Sequence, residues 1–318
     1  MAVHFELGRR MDAATPDLWT EWERRLRARN DPLSQAQAER LRLHRDPAQA
    51  AGSAARLRDL AERTGDAQIV GLWAQWACAN GAAECRQASD LWRSRAPENL
   101  RAQLLRVTRP WPTDGELRDW LTGLPKSTAA ENPTEAMVRR LFDEEVAIGP
   151  GLRRVTLSAA VMELHGAVVG TEMGWLVSTC GRRGTSAVYR DLCEPVAEHL
   201  WEFLRGDVLE EGLILAVVRS TPERNSHWQV RARAVEARRQ WLVTESSVKG
   251  MEDVILSPAC RPDSFLHDSL RLRFQLGQVR GLEAQMPKDP QALHALSEAF
   301  RRGNKRGLLD LPPERAGN

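Results

Sequence analysis

The 318-residue chain predicts an all-α protein of stacked antiparallel helical hairpins, arranged as an α-solenoid or an irregular helical array. Three observations carry this. First, β-structure has little to build on, because there are four isoleucines and one tyrosine and no apolar/polar alternation between hairpin turns. Second, alanine, leucine, arginine and glutamate, which favour helices, dominate. Third, a capping residue followed by proline recurs at Thr15-Pro16, Asp31-Pro32, Asp46-Pro47, Asn132-Pro133, Thr221-Pro222 and Asp289-Pro290. The first residue accepts from a free amide of the new helix, and proline at the first helical position gives up an N–H that has no partner there.

From the N-terminus, Leu18, Trp22 and Leu26 form a stripe on a helix over 16–28, with Trp19 beside it. A weaker helix covers 33–44. The next spans 47–63, with Leu57, Leu60 and Ala61 inward and Gly65 as a left-handed stop. Asp66 caps a helix that turns Ile69, Val70, Trp73, Trp76 and Ala77 to the core. After Asn80-Gly81, Cys85, Ala88 and Trp92 form the facing stripe. Leu100, Leu104 and Val107 follow, and Arg109-Pro110-Trp111-Pro112 breaks the chain. Thr113 and Glu116 have capping-box spacing and open a helix through Trp120 and Leu121.

Met137, Val138, Leu141 and Phe142 mark another helix, ended by Gly149-Pro150-Gly151. This punctuation divides the chain into an N-terminal half (1–148) and a C-terminal half (152–300), with a mobile tail over 301–318. In the second half, Tyr189, Cys193, Val196 and Leu200 line one face. Asp207 caps a buried helix with Leu213, Ile214, Val217 and Val218. A long helix from Pro222 to Thr244 carries Arg224, Arg231, Arg233, Arg238 and Arg239 on its outer face. Helices over 251–256 and 262–278 follow, and Pro290 opens the last, through Leu293, Leu296 and Phe300.

The cysteines single out two corners. Trp73 precedes Cys78 by five residues, as Trp175 precedes Cys180; Cys85 and Cys193 are followed by Trp92 and Trp201. Each pair straddles a helix–turn–helix corner, where two helix ends come close enough for a disulfide. Cys78–Cys85 and Cys180–Cys193 are therefore read as structural disulfides, with the four tryptophans packed around them. Reduced buried thiols and a four-cysteine zinc site are the alternatives; the zinc site lacks short knuckle spacing. Cys260 is left single. Disulfides point to the periplasm or cell envelope, whereas the lack of a signal-peptide apolar run in the first ten residues points to the cytoplasm.

The sequence carries no catalytic, cofactor or metal signature. None of the seven histidines pairs at i+4, and no nucleophile elbow, Walker loop or dinucleotide fingerprint is present. His165 reads as a core residue. His199 and Glu202, one helical turn apart, and Asp143-Glu144-Glu145 read as solvated faces, and Gly181-Arg182-Arg183-Gly184 reads as a connection. The balance of 45 basic to 43 acidic residues gives +2, so bulk charge does not draw the chain to nucleic acid, although the Arg231–Arg239 face offers one such surface. No stretch is apolar enough to span a membrane.

The segment from Cys85 to Val107 resembles a tetratricopeptide-type repeat. Ala88 and Trp92 stand at its small and aromatic second-helix positions, Ala96-Pro97-Glu98-Asn99 at the proline turn, and Leu100 and Leu104 on the next first helix. The two cysteine corners recur at about three 34-residue periods. The glycine and tyrosine of the first-helix pattern are missing around Trp73. The chain is also similar to uncharacterised bacterial helical proteins with paired cysteines. What the resemblance implies is a non-enzymatic scaffold that binds a protein or peptide partner. The alternative is an enzyme or small-ligand protein whose site is built from scattered residues.

Overall fold

The computed structural model describes residues 19–105, 113–145, 170–181, 187–220, 226–247 and 278–310. Among these the protein is all-α. In order the helices are α1 (19–27), α2 (Pro32–Arg45), α3 (Ala50–Thr64), α4 (Ala67–Ala79), α5 (Cys85–Arg95), α6 (Leu100–Leu104), α7 (Asp114–Gly123), α8 (Pro133–Glu145), α9 (170–180), α10 (Ala187–Leu204), α11 (Val208–Val217), α12 (Ser226–Ser247), α13 (Gln278–Gln285) and α14 (Pro290–Asn304). A single parallel β-bridge joins Asn99 and Ala129 among the described residues.

Capping chemistry sets many of these starts. Asp31, Asp66, Asp207 and Asp289 each accept from amides of the first turn that follows, and Thr113 and Glu116 complete a capping box. Gly65 ends α3 at φ 61°, in the left-handed region that glycine enters without penalty. The Asp46-Pro47 pair behaves differently. Asp46 Oδ1 accepts from the amides of Ala48 and Gln49, holding 47–49 as a 3-10 turn, so α3 starts only at Ala50.

The chain forms two compact units. Unit 1 comprises 1–108, 127–172 and 251–268. In it α2 packs on α3, α3 on α4, α4 on α5, and α8 on α4. Its core includes Trp22, Leu26, Leu41, Leu57, Ile69, Leu72, Trp73, Trp92, Leu100 and Leu104, all fully buried. Gly71 permits close approach of α4 to its neighbours: a Cβ there would lie 2.5 Å from Pro133 Cγ and 2.8 Å from Trp92 Cε2.

Unit 2 comprises 109–126, 173–250 and 269–318. Here α10 packs on α11, α11 on α12, and α12 on α13 and α14. Helix α7 joins it by packing on α10, with the Tyr189 hydroxyl donating to Asp114 Oδ1 at 2.6 Å. The segment 109–126 thus belongs with unit 2 rather than with the residues before it. The Gly149-Pro150-Gly151 punctuation lies outside the described residues.

One expectation needs correction, and the stretch after 301 can be described as far as Asp310. Helix α14 continues to Asn304, and Leu308 and Leu309 are buried. The Leu308 amide donates to Glu236 Oε1 at 2.9 Å, and Arg219 Nε donates to the Leu308 carbonyl at 2.6 Å. The arginines expected on one outer face are not all there: Arg224 lies outside the described residues, and Arg231 and Arg233 are only part-exposed. Arg238 is buried and donates to both carboxylate oxygens of Glu211, at 3.1 and 2.7 Å, and to Glu283 at 2.8 Å. Arg231 and Arg233 pair with Glu198 and Glu298, and Arg239 donates to the Val208 carbonyl. A carboxylate from a neighbouring helix meets most of them, a pairing that no single helical pattern reveals.

Candidate functional site

Both cysteine pairs stand at disulfide distance. The sulfurs of Cys78 and Cys85 are 2.03 Å apart with Cα atoms 4.6 Å apart, and those of Cys180 and Cys193 are 1.91 Å apart with Cα atoms 5.8 Å apart. The corners are not copies. Cys85 is the first residue of α5, whereas Cys193 lies two turns inside α10. Cys78 and Cys85 are half-buried, while Cys180 and Cys193 have no exposed surface. Trp73 and Trp92 are fully buried, Trp201 is nearly so, and Trp175 is half-exposed.

Unit 1 holds a chain of buried polar side chains that sequence reading did not find. Glu172, at the start of α9, is fully buried. It accepts from Arg101 Nη1 and from Gln75 Nε2, both at 2.8 Å. Gln75 Oε1 accepts from the amide and hydroxyl of Thr134, at 3.3 and 2.7 Å. Gln75 Nε2 also donates to Asn132 Oδ1 at 3.0 Å, and that oxygen accepts from the Glu135 amide at 3.2 Å, capping α8. Arg101 Nε reaches the Ala130 carbonyl at 3.3 Å, and Asn99 Nδ2 donates to the Glu131 carbonyl at 3.0 Å. These bonds tie 127–134 to Gln75 on α4 and to Asn99 and Arg101 at the start of α6. Asn132, only 6% exposed, keeps a buried Nδ2 with no hydrogen-bond partner. Asn132 also lines a groove of about 700 Å³ at the start of α8, together with Gln68, Glu131, Glu135, Arg139 and Arg140.

Elsewhere in unit 1, Glu23 and Glu39 are buried among Arg27, Arg42, Arg45 and Arg56. Burial raises both carboxyls, but hydrogen bonds from the arginines outweigh it and hold them below the usual glutamate range. Arg40 differs: it is 4% exposed, its Nε has no partner, and burial lowers its pKa to about 10.

Unit 2 carries two further depressions. One, of about 510 Å³, lies among α12, α13 and α14, with Ala234, Ala237, Met286 and Leu293 in its wall. Its arginines, Arg233 and Arg238, are already paired with carboxylates. The other, of about 550 Å³, brings together His199, Glu202, Arg205, Glu198, Trp201 and Arg231. Arg231 lies 5.0 Å from the Trp201 ring centroid and 4.5 Å from that of Trp228, and Glu198 bonds both Arg231 and His227. His199 and Glu202 thus share one depression. Burial raises Glu211 to about 7 against the pull of Arg238.

Of the other residues weighed from sequence, His165 and Cys260 lie outside the described residues, as do the side chains of Asp143, Glu144 and Glu145. Within the basic glycine turn only Gly181 is described. It is buried, and a Cβ there would collide with the Ala216 carbonyl oxygen, so this glycine serves packing. No helix among the described residues is long and apolar enough to cross a membrane. The sequence matches no protein-family model and finds no significant match among curated proteins or solved structures.

Proposed function

We propose that the protein is a non-enzymatic helical-hairpin scaffold that binds a protein or peptide segment, as its tetratricopeptide-like stretch implies. The observation that carries this reading is the groove at the start of α8. The groove presents charges of both signs and the exposed side-chain amide of Gln68, groups that can bond the main chain and side chains of a peptide. Supporting it, the repeat-like positions Ala88, Trp92, Leu100 and Leu104 are all buried, and α2, α3, α4 and α5 pack in sequence.

The test is to pan a display library of random linear peptides against the full-length protein, then titrate enriched peptides in solution by fluorescence anisotropy. Saturable binding that a scrambled peptide does not reproduce is expected. If repeated panning yields no peptide that binds in solution, the scaffold reading fails and the scattered-residue enzyme reading gains ground.

A further inference from the structure

Asn80-Gly81 is the chain's single Asn-Gly pair, and it sits in the loop that Cys78–Cys85 closes. An asparagine followed by glycine is open to attack of the main-chain nitrogen on the side-chain amide, because glycine has no Cβ to shield its N–H. Both residues are exposed. Apart from chain neighbours, no heavy atom of the described residues lies within 4 Å of where a Cβ on Gly81 would stand. Water and base therefore reach the pair.

The backbone nonetheless holds the pair unreactive. Closing the five-membered ring requires the Gly81 nitrogen to eclipse Asn80 Cβ about the Asn80 Cα–C bond. Asn80 has ψ 4°, so that nitrogen eclipses the Asn80 nitrogen instead, and Cβ stands a third of a turn away. Hydrogen bonds fix this shape. The Gly81 amide, which must act as nucleophile, donates to the Cys78 carbonyl at 3.3 Å. Asn80 Nδ2, which must leave, donates to the Trp76 carbonyl at 2.9 Å. The Ala82 amide donates to the Ala77 carbonyl at 2.8 Å, with Gly81 left-handed at φ 63°. Nothing is packed over Gly81, so the turn is held by these bonds and by the disulfide across it.

We propose that Asn80 is a modification site gated by the Cys78–Cys85 disulfide. This is the half-buried pair, within reach of a dithiol reductant, whereas Cys180–Cys193 is sealed. The dithiol is oxidised to its own disulfide as Cys78 and Cys85 become two thiols. The freed turn rotates about the Asn80 Cα–C bond. The Gly81 nitrogen gives its proton to a solvent base and bonds Asn80 Cγ, the Cγ–Nδ2 bond breaks, and ammonia leaves. Water opens the succinimide at either carbonyl, giving aspartate or isoaspartate at position 80. The new carboxylate lies at the C-terminal end of α4, where the helix dipole is negative, and meets the Trp76 carbonyl in place of a donor. Isoaspartate also adds a main-chain carbon between the two cysteines. The change therefore outlasts the reduction that permitted it, and the corner records exposure to a reducing environment.

The experiment follows the full-length protein at neutral pH and physiological temperature, untreated and after a mild dithiol has opened Cys78–Cys85. Cleavage after arginine at mildly acidic pH releases residues 64–86, in which Asn80 is the single asparagine. Mass spectrometry reads the conversion of amide to acid, and enzymatic methylation reads isoaspartate. Opening the pair is expected to speed conversion about tenfold, the scale on which one or two net hydrogen bonds change a barrier. Cys78→Ser combined with Cys85→Ser should convert at the fast rate with or without reductant, and Asn80→Gln should abolish the signal. Circular dichroism checks folding. If opening the pair unfolds the chain, the rate should rise to that of the chain in urea, and reduction still releases the site. Equal rates for the untreated protein in buffer and in urea overturn the proposal. So does a reduced, folded protein that converts no faster than the untreated one.

Discussion

Glu172 in unit 1 and Glu236 in unit 2 are both fully buried carboxylates, and the bonds around them end differently. Glu236 Oε1 accepts from the Leu308 amide, and Oε2 accepts from Ser297 Oγ at 2.7 Å and Arg301 Nε at 2.8 Å. Every bond leads inward, and the result is a clasp that holds 307–310 against α12 and α14. From Glu172 the bonds run through Gln75 to Asn132 and stop at an N–H with no acceptor. A closed hub is a stability device. The other stops at Asn132 with one buried donor unmatched, beside the groove at the start of α8. The cysteine corners differ in parallel: the unit 2 pair is fully buried and the unit 1 pair is half-exposed.

The strongest way to break unit 1 is to strip Glu172 of its cation. Arg101→Met leaves that carboxylate buried without a charge partner and should cost about 3–5 kcal/mol in urea unfolding, with hydrogen exchange accelerating in α4 and α8 before unit 2. Equal acceleration in both units would refute the separation of the two hubs.

Next come the corners. Replacing Cys180 and Cys193 by serine should cost about 3 kcal/mol, and replacing Cys78 and Cys85 slightly less, because the shorter loop restricts the unfolded chain less. Mild reductant on the native protein should open Cys78–Cys85 first, since burial shields the other pair. Peptide mapping after differential alkylation reads the order. Five freely alkylated thiols in the unreduced native protein would show that neither pair is oxidised.

Buried arginines sharpen the contrast further. Arg238 is clamped between Glu211 and Glu283, whereas Arg40 has an Nε without a partner. Arg40→Met should raise stability by about 2 kcal/mol, since an apolar chain of similar length removes an uncompensated desolvation. A lower melting temperature would mean that Arg40 is holding an acceptor.

The smallest effect is the pH response. The folded pKa of Glu211 is raised from 4.5 to about 7 by burial, so the folded state holds its proton more tightly than the unfolded chain does. Its contribution is full below pH 4.5 and is lost as pH rises toward about 7, at no more than about 1.4 kcal/mol per pH unit. Glu23 and Glu39 are lowered from 4.5, so unit 1 has the opposite response: their stabilisation is present above that value and lost as pH falls below it. Acidifying from pH 7 to 5 should therefore protect α11 and α12 in hydrogen exchange without loosening α2, and Glu211→Gln should remove that gain.

Local chemistry was legible in the sequence wherever a feature depends on residues near one another in the chain. The caps at Asp31, Asp66, Asp207 and Asp289, the Thr113–Glu116 box, the Gly65 stop and the all-α class need only a helical period and a side chain within reach of the next turn. The two cysteine pairings followed from the same nearness. Tertiary structure alone decided which arginines have partners, that Leu308 closes a buried hub, and that Gln75, Asn132, Thr134 and Glu172 converge. Gln75 is separated from Asn132 by 57 residues and from Glu172 by 97, and it sits on a helix face whose periodicity reads as plain core. Hydrophobic spacing reports only which side of a helix is buried. Whether a buried polar group there is matched, and by what, depends on side chains brought in from distant segments, and no local pattern encodes that.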